Sequence, residues 1–128
     1  MKHYNVVAAV ICHKGRYLCM QKGKTKYDYT SFKFEFPGGK IEPGETLQEA
    51  LKRELLEEMN YEIRVGKELV TVNHSYPDFS ITLTAFLCTA QSPSFVMNEH
   101  IAFEWKTKEA LNELDWAEAD ISIVNCIK

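Results

Sequence analysis

The chain is predicted to fold as one α/β (α+β) domain, a mixed sheet with a helix on either face. Three observations predict it. Short runs rich in β-branched and aromatic residues recur along the chain between glycine, proline and polar turn residues. Two other segments, Leu47 to Met59 and the residues from about Ala117 onward, repeat their apolar side chains at helical spacing instead. Finally, 128 residues of which 45% are apolar and 26% charged can fill one core and leave no room for a second, so residues 1–128 are read as a single domain.

Val6 to Ile11 reads as a buried strand, His13-Lys14-Gly15 as a turn, and Arg16 to Gln21 as the returning arm of a hairpin. Gly23 to Ser31 is polar and reads as a mobile loop. Phe32, Phe34 and Phe36 alternate with Lys33 and Glu35, so a half-buried strand should run into Pro37-Gly38 and aim a glycine loop. Thr46 and Glu49 make a capping box, which starts a helix at about Leu47, and that helix should end near Met59. Beyond it, Glu62 to Val65 and Glu68 to Asn73 read as two short strands. Pro77-Asp78 marks a turn, and Ser80 to Thr89 alternates as an antiparallel partner. Gln91 to Asn98 is a loop, Ala102 to Lys106 a last strand and Lys108 to Leu114 a short helix. Ala117, Ile121, Val124 and Ile127 then place a second amphipathic helix on the other sheet face.

Composition excludes several classes. No run approaches the 18 or so apolar residues of a membrane span and none resembles a cleavable leader, so a cytoplasmic protein without membrane contact is expected. Cys12, Cys19, Cys88 and Cys126 stand singly, without zinc spacing, and read as reduced thiols. The net charge of −3 is unevenly spread: Lys14 to Lys33 is basic, whereas Glu42 to Glu58 is strongly acidic. A solvated loop accounts for most of these lysines. Lys22 and Lys40 are the nearest candidates for contact with a phosphate-rich substrate, and no basic face with interleaved aromatics offers itself to a nucleic-acid polymer.

The acidic stretch carries the chemistry. At about 100° per residue, Glu54, Glu57 and Glu58 lie within roughly a third of a turn, beside the apolar face of Leu47, Ala50 and Leu51. Like charges at these spacings cost about 0.2–0.5 kcal/mol per pair when exposed, and more when desolvated. Arg53 alone cannot neutralise three carboxylates. A hard divalent cation can, and oxygen-only ligands are what Mg²⁺ takes. Gly38-Gly39 permits close approach to an ion or phosphate, and Pro43-Gly44 fits a type II turn bringing Glu45 toward the helix start. A solvated acidic face explains any one of these residues; it does not explain the whole constellation.

Gly39, five residues, Glu45, seven residues and Arg53-Glu54-Leu55-Leu56-Glu57-Glu58 resemble the Nudix box, G-x5-E-x7-R-E-U-x-E-E-x-G-U with U apolar. Two positions depart: Asn60 stands where the family has glycine, and Tyr61 where it has an aliphatic residue. Asn tolerates the left-handed conformation that closes a helix, and neither change touches a metal ligand. The resemblance spans nearly the whole chain and is nearest to MutT-like relatives that act on CTP, dCTP and oxidised dNTPs such as 8-oxo-dGTP in nucleotide-pool sanitation.

That resemblance implies a Nudix-type α/β/α sandwich, a nucleoside triphosphate substrate, and Mg²⁺, replaceable by Mn²⁺, held by Glu54, Glu57, Glu58, Glu99 and the Gly38 carbonyl. Water would attack a phosphoanhydride, with Glu54 or Glu99 as base and Arg53 orienting the glutamates, to give a monophosphate and pyrophosphate. Glu45 would brace the loop. Lys22, Phe36, Gly39, Lys40 and Phe79 would line the substrate site, and Asp120 would meet the nucleobase edge. On sequence alone Glu99 is equally a loop acid, and Asp120 a helix-start acid. A monomer or homodimer is expected. Hydrolysis of ADP-ribose, a dinucleotide or a nucleotide sugar is the alternative with the same box; a non-catalytic domain is disfavoured because all four box glutamates are present.

Overall fold

Alternation along the first strand decides which helix covers which side of the sheet. In β1 (Lys2–His13), Val7, Ala9 and Ile11 pack with Ala50, Leu51, Leu55 and Met59 of α1 (Leu47–Met59). Ala8 and Val10 point the other way, to Ala119, Ile123 and Val124 of α2 (Glu118–Cys126). Two apolar layers therefore share one strand, as a period of two requires. The computed structural model describes residues 1–128 as this three-layer arrangement, so the mixed sheet with a helix on each face is as expected.

Six more strands complete the sheet: β2 (Arg16–Lys22), β3 (Phe34–Glu35), β4 (Gly38–Lys40), β5 (Arg64–Ser75), β6 (Phe79–Thr89) and β7 (His100–Lys106). The order is β3-β2-β1-β6-β5, with β4 also paired to β1 and β7 to β2. The central β1–β6 pair is parallel, in register from Lys2 with Phe79 to Cys12 with Thr89, and every other pair is antiparallel. This long pairing extends β1 well beyond Val6 to Ile11.

Several local expectations need correction. The glycine loop is a strand: Gly38 and Gly39 pair with Ala8 and Val7. A Cβ on Gly38 would fall 2.9 Å from the Ala8 Cα, so the glycine serves close strand packing. Phe32 does not continue the Phe34–Phe36 alternation. It is 51% exposed in a left-handed conformation (φ 62°), and its N–H donates to the Gly23 carbonyl where the chain turns. Gly23 to Ser31 is knitted together rather than loose: the Ser31 hydroxyl donates to the Tyr27 carbonyl and accepts from the Thr25 N–H. The two short strands after α1 are one, β5, interrupted by register shifts around Glu68. Lys108–Glu113 is a 3₁₀ helix.

Candidate functional site

Local chemistry builds the acidic helix as its residues predict. The Thr46 hydroxyl accepts the Glu49 N–H at 3.1 Å, and Glu49 accepts the Thr46 N–H at 2.8 Å. Asn60 closes the helix in the left-handed region (φ 47°, ψ 40°), the conformation expected of the residue replacing glycine. Ahead of it, Gly44 has φ 85° and the Glu45 N–H donates to the Glu42 carbonyl, as a type II turn requires.

Arg53 ties this turn, β4 and α1 together. Its Nε donates to Glu45 Oε2 at 2.7 Å and its Nη2 to Glu45 Oε1 at 3.0 Å, a bidentate pair. Nη2 also donates to the Lys40 carbonyl at 3.0 Å, while Nη1 reaches Glu54 at 3.1 Å and Glu57 at 3.4 Å. The Arg53 hydrogen bond, reinforced by a backbone N–H, holds the Glu45 carboxyl below the usual carboxylate range. Arg53 and Glu45 thus form a brace behind the acids and do not line the cleft.

The cleft in front holds about 690 Å³. Glu54, Glu58, Glu99, Gly38, Gly39 and Lys40 all line it. Glu54 is only 12% exposed and lies over Gly39, where any Cβ would strike its carboxylate. Glu58 is pushed up to about 8, first by burial, then by its hydrogen bond to Glu54 and by the Glu99 and Glu54 charges. Glu57 instead stands on the exposed side beside Arg53, 59% exposed and outside the cleft lining.

No group of three or more His, Cys, Asp or Glu side chains is arranged to hold a metal ion by itself. The donor set nevertheless fits magnesium, which prefers one or two carboxylates and completes its shell with water and substrate phosphate.

A second group of side chains lines the same cleft. Asp120, only 6% exposed, accepts the Phe36 N–H on Oδ2 at 3.0 Å. Burial, followed by the Glu35 charge, pushes its carboxyl up to about 8, against the Phe36 N–H and Lys22. Lys22 also lines the cleft and lies 3.5 Å from Glu35. Phe36 stacks on Trp116 at 4.7 Å, and Phe79 stacks on Tyr27 at 5.6 Å; Tyr4 and Tyr76 continue that aromatic wall. The Lys40 ammonium lies 4.3 Å over the Tyr4 ring.

Sequence reasoning missed Glu35, His100, Tyr4, Tyr27 and Tyr76. The one available signal was in Phe34-Glu35-Phe36, where a carboxylate sits between two core phenylalanines and must point away from them.

Known proteins resemble the chain along most of its length. The NUDIX domain profile matches residues 1–125. A Proteus vulgaris protein named 8-oxo-dGTP diphosphatase is 41% identical over 88 residues, 69% of this chain and 78% of the relative. The CTP pyrophosphohydrolase of Escherichia coli K12 is 33% identical over 124 residues, 97% of this chain and 90% of that one. The solution structure of the Nudix hydrolase MutT, a DNA mismatch repair protein of methicillin-resistant Staphylococcus aureus 252, superposes with a TM-score of 0.76 at 38% identity. That match covers 98% of this chain and 95% of the other.

Proposed function

The chain belongs to the NUDIX domain family of nucleotide pyrophosphohydrolases, and on that premise we propose a magnesium-dependent enzyme that splits a nucleoside triphosphate into the monophosphate and pyrophosphate. The substrates proposed are (d)CTP or oxidised and modified dNTPs such as 8-oxo-dGTP, and the role is nucleotide-pool sanitation. The observation that carries the reading is that Glu54, Glu58, Glu99 and Gly38 line one cleft that also contains Asp120.

Glu54, Glu57, Glu58 and Glu99, with the Gly38 carbonyl, would hold the ion. Bound magnesium supplies neutralising charge and polarisation at the phosphoanhydride. Glu54 or Glu99 accepts the proton of the attacking water. Arg53 positions Glu54 and Glu57 by direct hydrogen bonds, and Glu45 fixes Arg53. Lys40 meets the phosphates, Gly39 keeps the backbone low beneath Glu54, and Phe36 and Phe79 wall the base pocket. Asp120 meets the base edge. Lys22, beside Glu35, is assigned to the substrate cleft.

The test is kcat/KM on CTP, dCTP, 5-methyl-dCTP, dGTP and 8-oxo-dGTP, with and without Mg²⁺, alongside ADP-ribose. Metal-dependent pyrophosphate release is expected from at least one triphosphate. AMP from ADP-ribose with no pyrophosphate from any of them would overturn the proposal.

A further inference from the structure

Eight large apolar side chains of this protein are exposed, and five of them adjoin one another. Val96 and Met97 follow Phe95, whose ring meets that of Phe103 edge-on at 4.9 Å. On the same strand, Ile101 lies so close to Gly23 that a Cβ there would be 3.1 Å from its Cγ2. The Gly23 carbonyl in turn accepts the N–H of Phe32. Phe32, Val96, Met97, Ile101 and Phe103 thus make one apolar patch, and the segment from Gln91 to Asn98 brings no charge to it.

We infer that this patch is the interface with a second copy of this chain, the two joined about a two-fold axis at Phe103 with their β7 strands antiparallel.

The exposed area suits such a partner. A large side chain has about 150–250 Å² to bury, so five that are about half exposed offer ~500 Å². A standard interface covers about 800 Å² per partner, and in homodimers about 65% of it is apolar, which is again ~500 Å².

The strand edge points the same way. His100–Lys106 makes no backbone hydrogen bond beyond its pairing with β2, so its outer N–H and C=O groups are free. At the opposite end of the sheet, β5 carries Arg64, Lys67 and Glu68 and is broken by register shifts, which protect an edge from pairing. From Ala102 to Lys106, β7 is regular, and Phe103 and Trp105 lie opposite Met20 and Leu18 on the α1 face. A two-fold axis normal to the sheet sets such a strand antiparallel to its own copy. Centred on Phe103, the pairing puts ring against ring and sets Glu104 opposite Ala102 of the partner subunit. Centred on Glu104, it would oppose two carboxylates, so charge selects the first register.

Phe32 is a separate observation. Its φ of 62° is a conformation that penalises a bulky side chain, and half of that side chain lies in solvent. A second copy gives it the burial that its own fold does not.

Sedimentation velocity of the full chain between ~1 and ~100 µM tests the inference, because interfaces of this size reach micromolar or tighter dissociation constants. The species expected at the top of that range has twice the 14.8 kDa mass of the chain. Phe103→Glu should raise the dissociation constant ~30-fold or more, as loss of a central aromatic residue does. Phe32→Asn should raise it too and fold at least as well, since asparagine tolerates the left-handed region. Amide hydrogen exchange on the wild type needs no variant: the β7 amides should exchange more slowly at ~100 µM than at ~1 µM, the limits of the same dilution series. A wild type that stays at 14.8 kDa throughout overturns the inference and leaves the patch to a different protein. A dimer whose dissociation constant neither folded variant changes, or whose β7 amides exchange alike at both concentrations, overturns it as well.

Discussion

Replacing Asp120 with asparagine should change how stability depends on pH, because the wild-type carboxyl is held far from its ordinary value by the fold itself. Its carboxyl is raised from 3.8 to about 8, chiefly by burial and then by the Glu35 charge. The unfolded chain therefore loses this proton near pH 4, while the folded protein keeps it to near pH 8. Between those values the native state binds more protons than the unfolded one, so stability falls as pH rises. One unit corresponds to about 1.4 kcal/mol, and between pH 5 and pH 7.5 the loss integrates to about 3 kcal/mol. Near this chain length that is about 10 °C in Tm. Asparagine keeps the shape and can accept the Phe36 N–H, but it does not titrate.

The assay is urea unfolding of both proteins at pH 5.0 and 7.5 without divalent ions. Contributions from the four histidines and from Glu58 occur in both proteins and cancel in the comparison. Relative to the variant, the wild type should lose about 3 kcal/mol between the two pH values. Parallel profiles, agreeing within about 1 kcal/mol, would refute the claim that burial keeps this carboxyl protonated.

Glu57→Gln should leave the fold intact, since this side chain is 59% exposed, yet lower kcat by ~100-fold; steady-state pyrophosphate release with a circular dichroism control checks it, and near wild-type kcat would remove Glu57 from the metal ligands. Mg²⁺ at about one hundred times its Kd should stabilise the wild type by about 2.7 kcal/mol, and Glu58→Gln should lose most of that response in a thermal melt. Gly38→Ala should destabilise the protein by roughly 2 kcal/mol or more, because its Cβ would lie 2.8 Å from the Val7 carbonyl carbon and 2.9 Å from the Ala8 Cα, and neither backbone atom can rotate away. Equal denaturation midpoints for Gly38→Ala and wild type would show that β4 can shift without loss.

The division between what the residues disclosed and what they did not follows sequence separation. The cap at Thr46, the acids of α1, its Asn60 terminus and the Gly44 turn are all decided by neighbours within a few positions, so spacing alone reveals them. Mispredicted segments depend on a distant partner. Gly38 and Gly39 look like a loop until β1 is placed beside them, and Phe32 looks like a strand residue until the chain is seen turning back to Gly23. The cluster around Asp120 is more distant still: Lys22, Glu35, His100 and Asp120 come from β2, β3, β7 and α2. Their meeting depends on β7 lying along β2, where Lys22 opposes His100 after a register shift, and on α2 presenting Asp120 to the Phe36 N–H. No periodicity spans those gaps, since each residue alone is an ordinary lysine, glutamate, histidine or aspartate. Local chemistry announces the acids of α1, whereas the side chains gathered around Asp120 are written in tertiary pairing.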